Sequence, residues 1–159
     1  MALGPDEFRH VLGHFASGVT VITTWDGEGR PTGFTANAFT SVSLDPPLVL
    51  VCVDHKAQSY PAMQTSGRFA VNILAVGQEA ISRRFAASGG NKFDGIAWSQ
   101  GPAGLPLISG GLASLECHTA HAYPGGDHTI FVGEVVAVHA HAAEPLLYYR
   151  GKYHRLSPP

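Results

Sequence analysis

Short hydroxyl and amide side chains crowd one stretch of this chain, Phe34-Thr35-Ala36-Asn37-Ala38-Phe39-Thr40-Ser41-Val42-Ser43-Leu44-Asp45-Pro46-Pro47. Thr35, Asn37, Ser41 and Ser43 are compact donors and acceptors, while Gly33, Ala36 and Ala38 keep the surface between them low. A flat polar molecule can then approach backbone amides closely and find short hydrogen bonds to hydroxyls. An ordinary polar edge strand accounts for the hydroxyls but leaves the run of small residues unexplained. Farther along, Gly125-Gly126-Asp127-His128 makes a tight turn that opens the apolar run Thr129 to Val135. It sets an imidazole at a sheet rim, where the ring either meets a ligand or bonds its own turn.

Lys56 and Ser59 follow the apolar run Leu48 to Val53. The lysine brings charge, and the serine stands where a helix N-terminus turns free N–H groups outward, so a phosphate is one reading. A plain helix cap beside a solvated lysine is the other. Arg83 and Arg84 either add a second charge or face water. Lys92-Phe93 joins a cation to an aromatic ring that can cover an adenine or the edge of a planar ligand. The nine histidines include His10 with His14, His118 with His121, and His139 with His141. No acidic cluster, cysteine pair or third ligand accompanies any pair, so no metal site is expected. The chain also lacks a GxGxxG turn, a Walker loop and a nucleophile elbow. A pyridine nucleotide, if used, must therefore bind without a Rossmann frame, and transient stacking on another ring would serve.

The elements that would position these groups are mostly strands. Asp6 is placed to cap a helix with Phe8, Val11, Leu12 and Phe15 on one stripe, ended by Gly18. Residues 19–25 alternate and are β-branched, 26–29 read as a hairpin turn, and 31–39 return. The wholly apolar run 48–53 predicts a strand buried on both faces. A short helix over 59–64, a strand over 68–74 and a helix over 78–87 follow. Glycine, proline and polar residues make 88–111 one long loop that carries function or packs as a lid. Strands over 112–122, 129–139 and 146–156 close the chain. Without β-α-β alternation, the expected fold is mainly β, a closed antiparallel β-barrel with a few short helices.

A chain of 159 residues suits one domain over 1–159, able to bury about two thirds of its unfolded surface. Apolar residues make up 45% and charged residues 14%, which leaves surface for self-association. A net charge of −2 without a basic block argues against nucleic acid. No apolar run reaches transmembrane length, so no membrane is expected as a partner. The start lacks a basic region followed by an apolar stretch, and Cys52 and Cys117 read as buried reduced thiols. Together these predict a cytoplasmic protein.

Five pieces then occur in a telling order: Gly18-Val19-Thr20-Val21-Ile22-Thr23-Thr24, Thr35-Ala36-Asn37, Phe69-Ala70-Val71-Asn72-Ile73-Leu74, Gly126-Asp127-His128, and Pro145-Leu146-Leu147-Tyr148-Tyr149 with Gly151-Lys152-Tyr153. From Phe8 to Leu156 the chain resembles the flavin reductase family, the small reductase components of two-component flavin monooxygenases. That resemblance implies an FMN-binding split barrel, and a homodimer with flavin near the subunit interface. It implies NAD(P)H:flavin oxidoreductase activity, with NADH or NADPH as donor and FMN or FAD as acceptor. Reduced flavin would then diffuse to a separate flavin-dependent monooxygenase. Carried onto matching positions, Phe34, Thr35, Ala36, Asn37, Ser41, Val42, Ser43 and Cys52 would line the flavin. Lys56 and Ser59 would hold its phosphate, with Phe85 and Ala86 nearby; Lys92 and Phe93, read from their residue types, join the cofactor-binding set as charge and lid. His128, as the catalytic residue, would position the nicotinamide together with Tyr153. Hydride passes directly between the two rings, so no protein nucleophile is required. Two alternatives stand beside this: an FMN-binding storage or carrier module that does not reduce its ligand, and a flavin-dependent reductase of another acceptor.

Overall fold

β-Branched runs punctuated by glycine turns produce a mainly β protein. The computed structural model describes residues 2–157. Its strands are β1 (Ser17–Gly18), β2 (Thr20–Trp25), β3 (Pro31–Ala36), β4 (Phe39–Leu44), β5 (Pro47–Asp54), β6 (Arg68–Ile73), β7 (Trp98–Gln100), β8 (Pro106–Ile108), β9 (Ala113–Gly125), β10 (His128–Ala140), β11 (Leu147–Tyr149) and β12 (Lys152–His154). The helices are α1 (Pro5–Leu12), α2 (Tyr60–Ser66) and α3 (Glu79–Ala86).

One sheet of seven strands runs β3-β2-β6-β9-β10-β5-β4, and every neighbouring pair is antiparallel. Its two ends, β3 and β4, are consecutive in the chain, with Asn37 and Ala38 between them. The sequence therefore brings both ends of the sheet to one corner. There the Phe39 N–H donates to the Asn37 carbonyl (3.0 Å) and the Cys52 N–H to the Ala38 carbonyl (3.1 Å). A ladder between β3 and β4 is not among the hydrogen-bonded neighbours of the described residues.

β2 is buried along nearly its whole length and separates two apolar clusters. Ile22 points into the first with Phe34, Val51, Met63, Phe69 and Phe131; Val19 and Val21 point into the second with Leu74, Phe85, Phe93 and Ile108. Alternation along a strand makes this division automatic. Its buried threonines are satisfied: Thr20 donates to the Ala36 carbonyl, Thr23 to that of Pro106 and Thr24 to that of Arg68.

Several expectations change. β5 alternates, burying Val49, Val51 and Val53 and leaving Leu48, Leu50 and Cys52 partly exposed, so it is covered on one face only. α1 starts at Pro5 with Gly4 at the N-cap; Asp6 lies inside the first turn and caps nothing. Proline suits the first helical position because its missing N–H would be unpaired there anyway. That helix ends at Leu12, before Gly18, and its stripe of Phe8, Val11, Leu12 and Phe15 faces outward. The stretch 88–111 is not all loop, since β7 and β8 pair as a hairpin inside it. Both cysteines are free; burial and the neighbouring Glu116 push the Cys117 thiol up to about 12. Among the described residues no helix is long and apolar enough to cross a membrane.

Candidate functional site

The corner where the sheet ends meet opens into a cavity of about 380 Å³. One wall is the end of β3 and the crossing that follows it: Phe34, Thr35, Ala36, Asn37 and Ala38, backed by Cys52 of β5. Phe34 and Ala36 turn into the core, while Asn37 and Ala38 are exposed. The Thr35 hydroxyl is already committed, donating to the Ser82 carbonyl of α3 at 2.6 Å. What this wall offers a ligand is therefore mainly backbone. The Gly33 carbonyl accepts from the Lys92 ammonium (3.3 Å), so it points away from β2. Residues two apart on a strand turn the same way, which puts the Thr35 N–H on that free edge as well. Gly33 has a second reason to be glycine: a Cβ there would collide with the Ile22 carbonyl of β2. Close strand approach requires it, and the low surface read at Gly33 serves the sheet.

Two cations flank the cavity. Lys56 stands exposed on the turn after β5 and enters no ion pair among the described residues. Its backbone N–H donates to Asp54 Oδ1 at 2.8 Å, an Asx turn that fixes where the side chain leaves the chain. Lys92 is half-buried and donates to the carbonyls of Gly33 and Phe85 (3.0 Å). Desolvation holds its ammonium below the usual lysine value. Phe85, Ala86, Ala87 and Ser88 form the remaining wall.

His128 lies at the cavity rim. Gly125 and His128 pair across a two-residue hairpin, with Gly126 at φ 74° in the first central position. That is the place a II′-type turn reserves for glycine. His128 Nδ1 lies 2.6 Å from Asp127 Oδ1, and this hydrogen bond holds the Asp127 carboxyl below its ordinary range. A carboxylate only accepts, so Nδ1 carries a proton, and in that tautomer of the uncharged imidazole Nε2 is an acceptor. The turn itself is held against β5, where the His55 N–H donates to the Asp127 carbonyl (3.1 Å). The histidine bonds its own turn and also lines the cavity.

The structure thus brings together Phe34, Thr35, Ala36, Asn37, Cys52, Lys56, Phe85, Ala86, Lys92 and His128. It does not bring in six others. Ser41, Val42 and Ser43 sit on the edge strand β4 beyond the crossing, where a register shift bulges Val42 outward. Ser59 is buried behind the cavity wall with its Oγ unpaired. Phe93 is a core ring packed edge-on against Phe85 at 5.1 Å and is no lid. Tyr153 stands behind α3, its hydroxyl 2.7 Å from Ser82 Oγ. Ser82 links it to the cavity wall through Thr35. Ala38, read from the sequence as part of the low surface, also lines it, and so do Asp54, Ala57, Gln58, Ala87 and Ser88, which the sequence did not single out as site residues. Each is next to, or between, residues that were singled out, so contiguity along the chain was the available signal.

A mainly antiparallel β fold thus carries a backbone-lined cavity flanked by two lysines. The flavin reductase like domain family matches residues 12–157, and the chain belongs to that family. It is 42% identical over 158 residues to the reductase subunit HsaB of a flavin-dependent monooxygenase from Rhodococcus jostii, covering 99% of this chain and 80% of that one. It is 45% identical over 158 residues to an NADH-dependent FAD reductase of Streptomyces globisporus, covering 96% and 86% respectively. The solved structure of the Streptomyces globisporus NADH:FAD oxidoreductase SgcE6, in complex with NAD and FAD fragments, aligns at a TM-score of 0.92 with 42% identity, over 99% of this chain and 98% of that one.

Proposed function

We infer that this protein is an NAD(P)H:flavin oxidoreductase that reduces FMN or FAD. The observation that carries this reading is the cavity at the sheet corner, which gathers ten of the residues named above from separate chain segments. Their chemistry fits a flavin. Lys56 is a cation without an ion-pair partner, suited to a phosphate, and Ala36 and Ala38 leave room for a flat ring beside the free edge of β3. Bound flavin supplies the acceptor for the hydride of NAD(P)H. Backbone N–H groups from Thr35 to Asn37, with that of Thr35 on the free edge of β3, would hold the ring and favour the negative charge of the reduced form. His128, at the cavity rim, would orient the nicotinamide through Nε2 and would move no proton. Lys92 and Thr35 hold the walls in place by bonds to the backbone.

The finer reading extends the sequence expectations. Residues 1–159 are read as one flavin reductase domain, with Met1, Pro158 and Pro159 outside the described residues. The seven-stranded sheet is read as a split barrel, supported by its ends lying two residues apart and by β3 and β5 sharing one core cluster. A homodimer is supported by exposed apolar side chains, among them Phe15 at 81% and Leu44 at 95%. Such a dimer can bring Ser41 to Ser43 and Tyr153 to the flavin of either protomer. Reduced flavin is released to a flavin-dependent monooxygenase, as the name of the Rhodococcus relative suggests. Two free thiols support a cytoplasmic setting.

The test is oxidation of NADH and NADPH by purified protein with FMN, FAD and riboflavin supplied in turn. Flavin-dependent loss of the nicotinamide absorbance is expected. Flavin binding without any such loss would favour a carrier and contradict the assignment.

A further inference from the structure

β3 is an edge strand, with β2 as its one ladder partner among the described residues, so the sheet leaves free the edge that borders the cavity. Two ties to α3 hold that edge instead. The Thr35 hydroxyl donates to the Ser82 carbonyl at 2.6 Å, and the Lys92 ammonium bridges the carbonyls of Gly33 (3.3 Å) and Phe85 (3.0 Å). Residues 33 and 35 of the strand are thus joined to residues 85 and 82 of the helix, which lie about one helical turn apart. A rotation of α3 about its axis therefore moves the Thr35 backbone and the Phe85–Ala86 wall together.

That rotation is opposed from behind the helix. Ser82 is fully buried, and its Oγ lies 2.7 Å from the Tyr153 hydroxyl. Tyr153 stands in β12 opposite Tyr148 of β11, and the two rings pack edge-on at 5.4 Å. The Arg83 guanidinium sits 4.9 Å from the centre of the Tyr153 ring and is itself paired with Glu79 at 2.6 Å. A neighbouring tyrosine and a cation thus hold the ring and fix where its hydroxyl points. Phe85 belongs both to the cavity wall and to the second apolar cluster, against which Tyr148 and Tyr153 also pack. Apolar groups of the same shape would fill the space between Ser82 and Tyr153 at little cost, because replacing both partners of a hydrogen bond is often close to neutral. What the hydroxyl pair adds is direction.

We propose that Ser82 and Tyr153 are positioning residues for flavin reduction. Their hydroxyl pair sets the rotation of α3 and, through the Ser82 carbonyl and the Thr35 hydroxyl, the placement of the backbone N–H groups that face the flavin ring. They act through Thr35 and not by touching flavin or nicotinamide. The proposal rests on the flavin reductase reading above.

Anaerobic stopped-flow reduction of bound FMN by NADH, paired with denaturant unfolding, tests it on Ser82→Ala, Tyr153→Phe and the two combined. Each single variant should slow the limiting reduction rate about fivefold, while the NADH concentration giving half that rate stays within about twofold of wild type. Because the two residues share one bond, the double variant should be no slower than either single one. It should also unfold near the wild-type midpoint, so that its slow reduction is not a loss of fold. Thr35→Val should show the same kind of loss and Thr35→Ser, which keeps the hydroxyl, should restore the rate. Wild-type rates in folded variants, losses that multiply in the double variant, or rates that simply follow the unfolding midpoint overturn the proposal and leave the reductase assignment standing. A loss in Tyr153→Phe that Ser82→Ala does not share would mean that Tyr153 meets a ligand directly, which also overturns it. Wild-type protein whose bound flavin NADH does not reduce defeats the reductase assignment itself.

Discussion

The turn from Asp54 to Ser59 and the loop from Ser88 to Phe93 face each other across one cavity, and each carries a lysine. On the first, Lys56 is exposed and free of ion pairs, and the His128 hairpin docks beside it through the His55 N–H. On the second, Lys92 is half-buried and spends its donors on the Gly33 and Phe85 carbonyls. Identical side chains thus take opposite roles because their surroundings differ. A lysine with two of its three donors bound to backbone holds a wall, and one that is solvated and unpaired is available to a ligand. The comparison teaches that charge beside a cavity is not enough to infer contact with a ligand; the hydrogen-bond partners of the charge must be known.

The largest effect should come from the wall-holding lysine, Lys92. Lys92→Met keeps the packing length but strands two carbonyls, at roughly 1–3 kcal/mol for a buried acceptor left unpaired, and should lower stability by about 2 kcal/mol in denaturant titration. Burial also holds the Lys92 pKa below its ordinary 10.5, so the folded chain binds that proton less tightly than the unfolded chain does. Stability therefore rises with pH through the interval between the lowered value and 10.5. The wild type should gain on Lys92→Met as pH climbs toward 10.5, as read by paired melting curves. A gap that narrows over that range would mean the ammonium is not desolvated.

On the opposite wall the effects should fall on kinetics and binding, with melting temperature unchanged. His128→Ala should raise the KM for NADH or lower turnover about tenfold, roughly 1.4 kcal/mol; steady-state rates equal to wild type would remove it from the site. Lys56→Ala should weaken FMN affinity five- to tenfold, about 1 kcal/mol, and leave riboflavin, which has no phosphate, unaffected. Equal losses for both ligands would show that Lys56 shapes the turn and does not meet phosphate. The smallest effect belongs to Ser59, whose buried hydroxyl has no partner. Removing an unsatisfied group should leave stability unchanged or raise it by up to about 1 kcal/mol, so a destabilised Ser59→Ala would reveal a hidden partner.

Much of the site was legible because it follows the chain. Thr35 to Asn37, Lys56, Phe85 with Ala86, and the Gly126-Asp127-His128 turn are local patterns, and hairpin chemistry alone puts His128 at a rim. What escaped depends on partners distant in sequence. Ser41 to Ser43 belong to the same polar stretch as Asn37, yet at Asn37 and Ala38 the chain passes from one end of the sheet to the other, and the serines leave the cavity with it. Phe93, in a glycine-rich loop, reads as exposed until Phe85 and Trp98 are seen packed on either side of it. Gly33 reads as part of a low ligand surface, but the Ile22 carbonyl behind it is what excludes a side chain. Pro5 displaces Asp6 from the cap, a purely local preference that the polar residue obscured.

Anaerobic stopped-flow mixing of flavin-loaded protein with NADH tests the central claim most directly. Bleaching of the visible flavin band in a single phase that quickens with NADH concentration, and slows about tenfold in His128→Ala, is the predicted result. A flavin band that stays bound and coloured after mixing would contradict it.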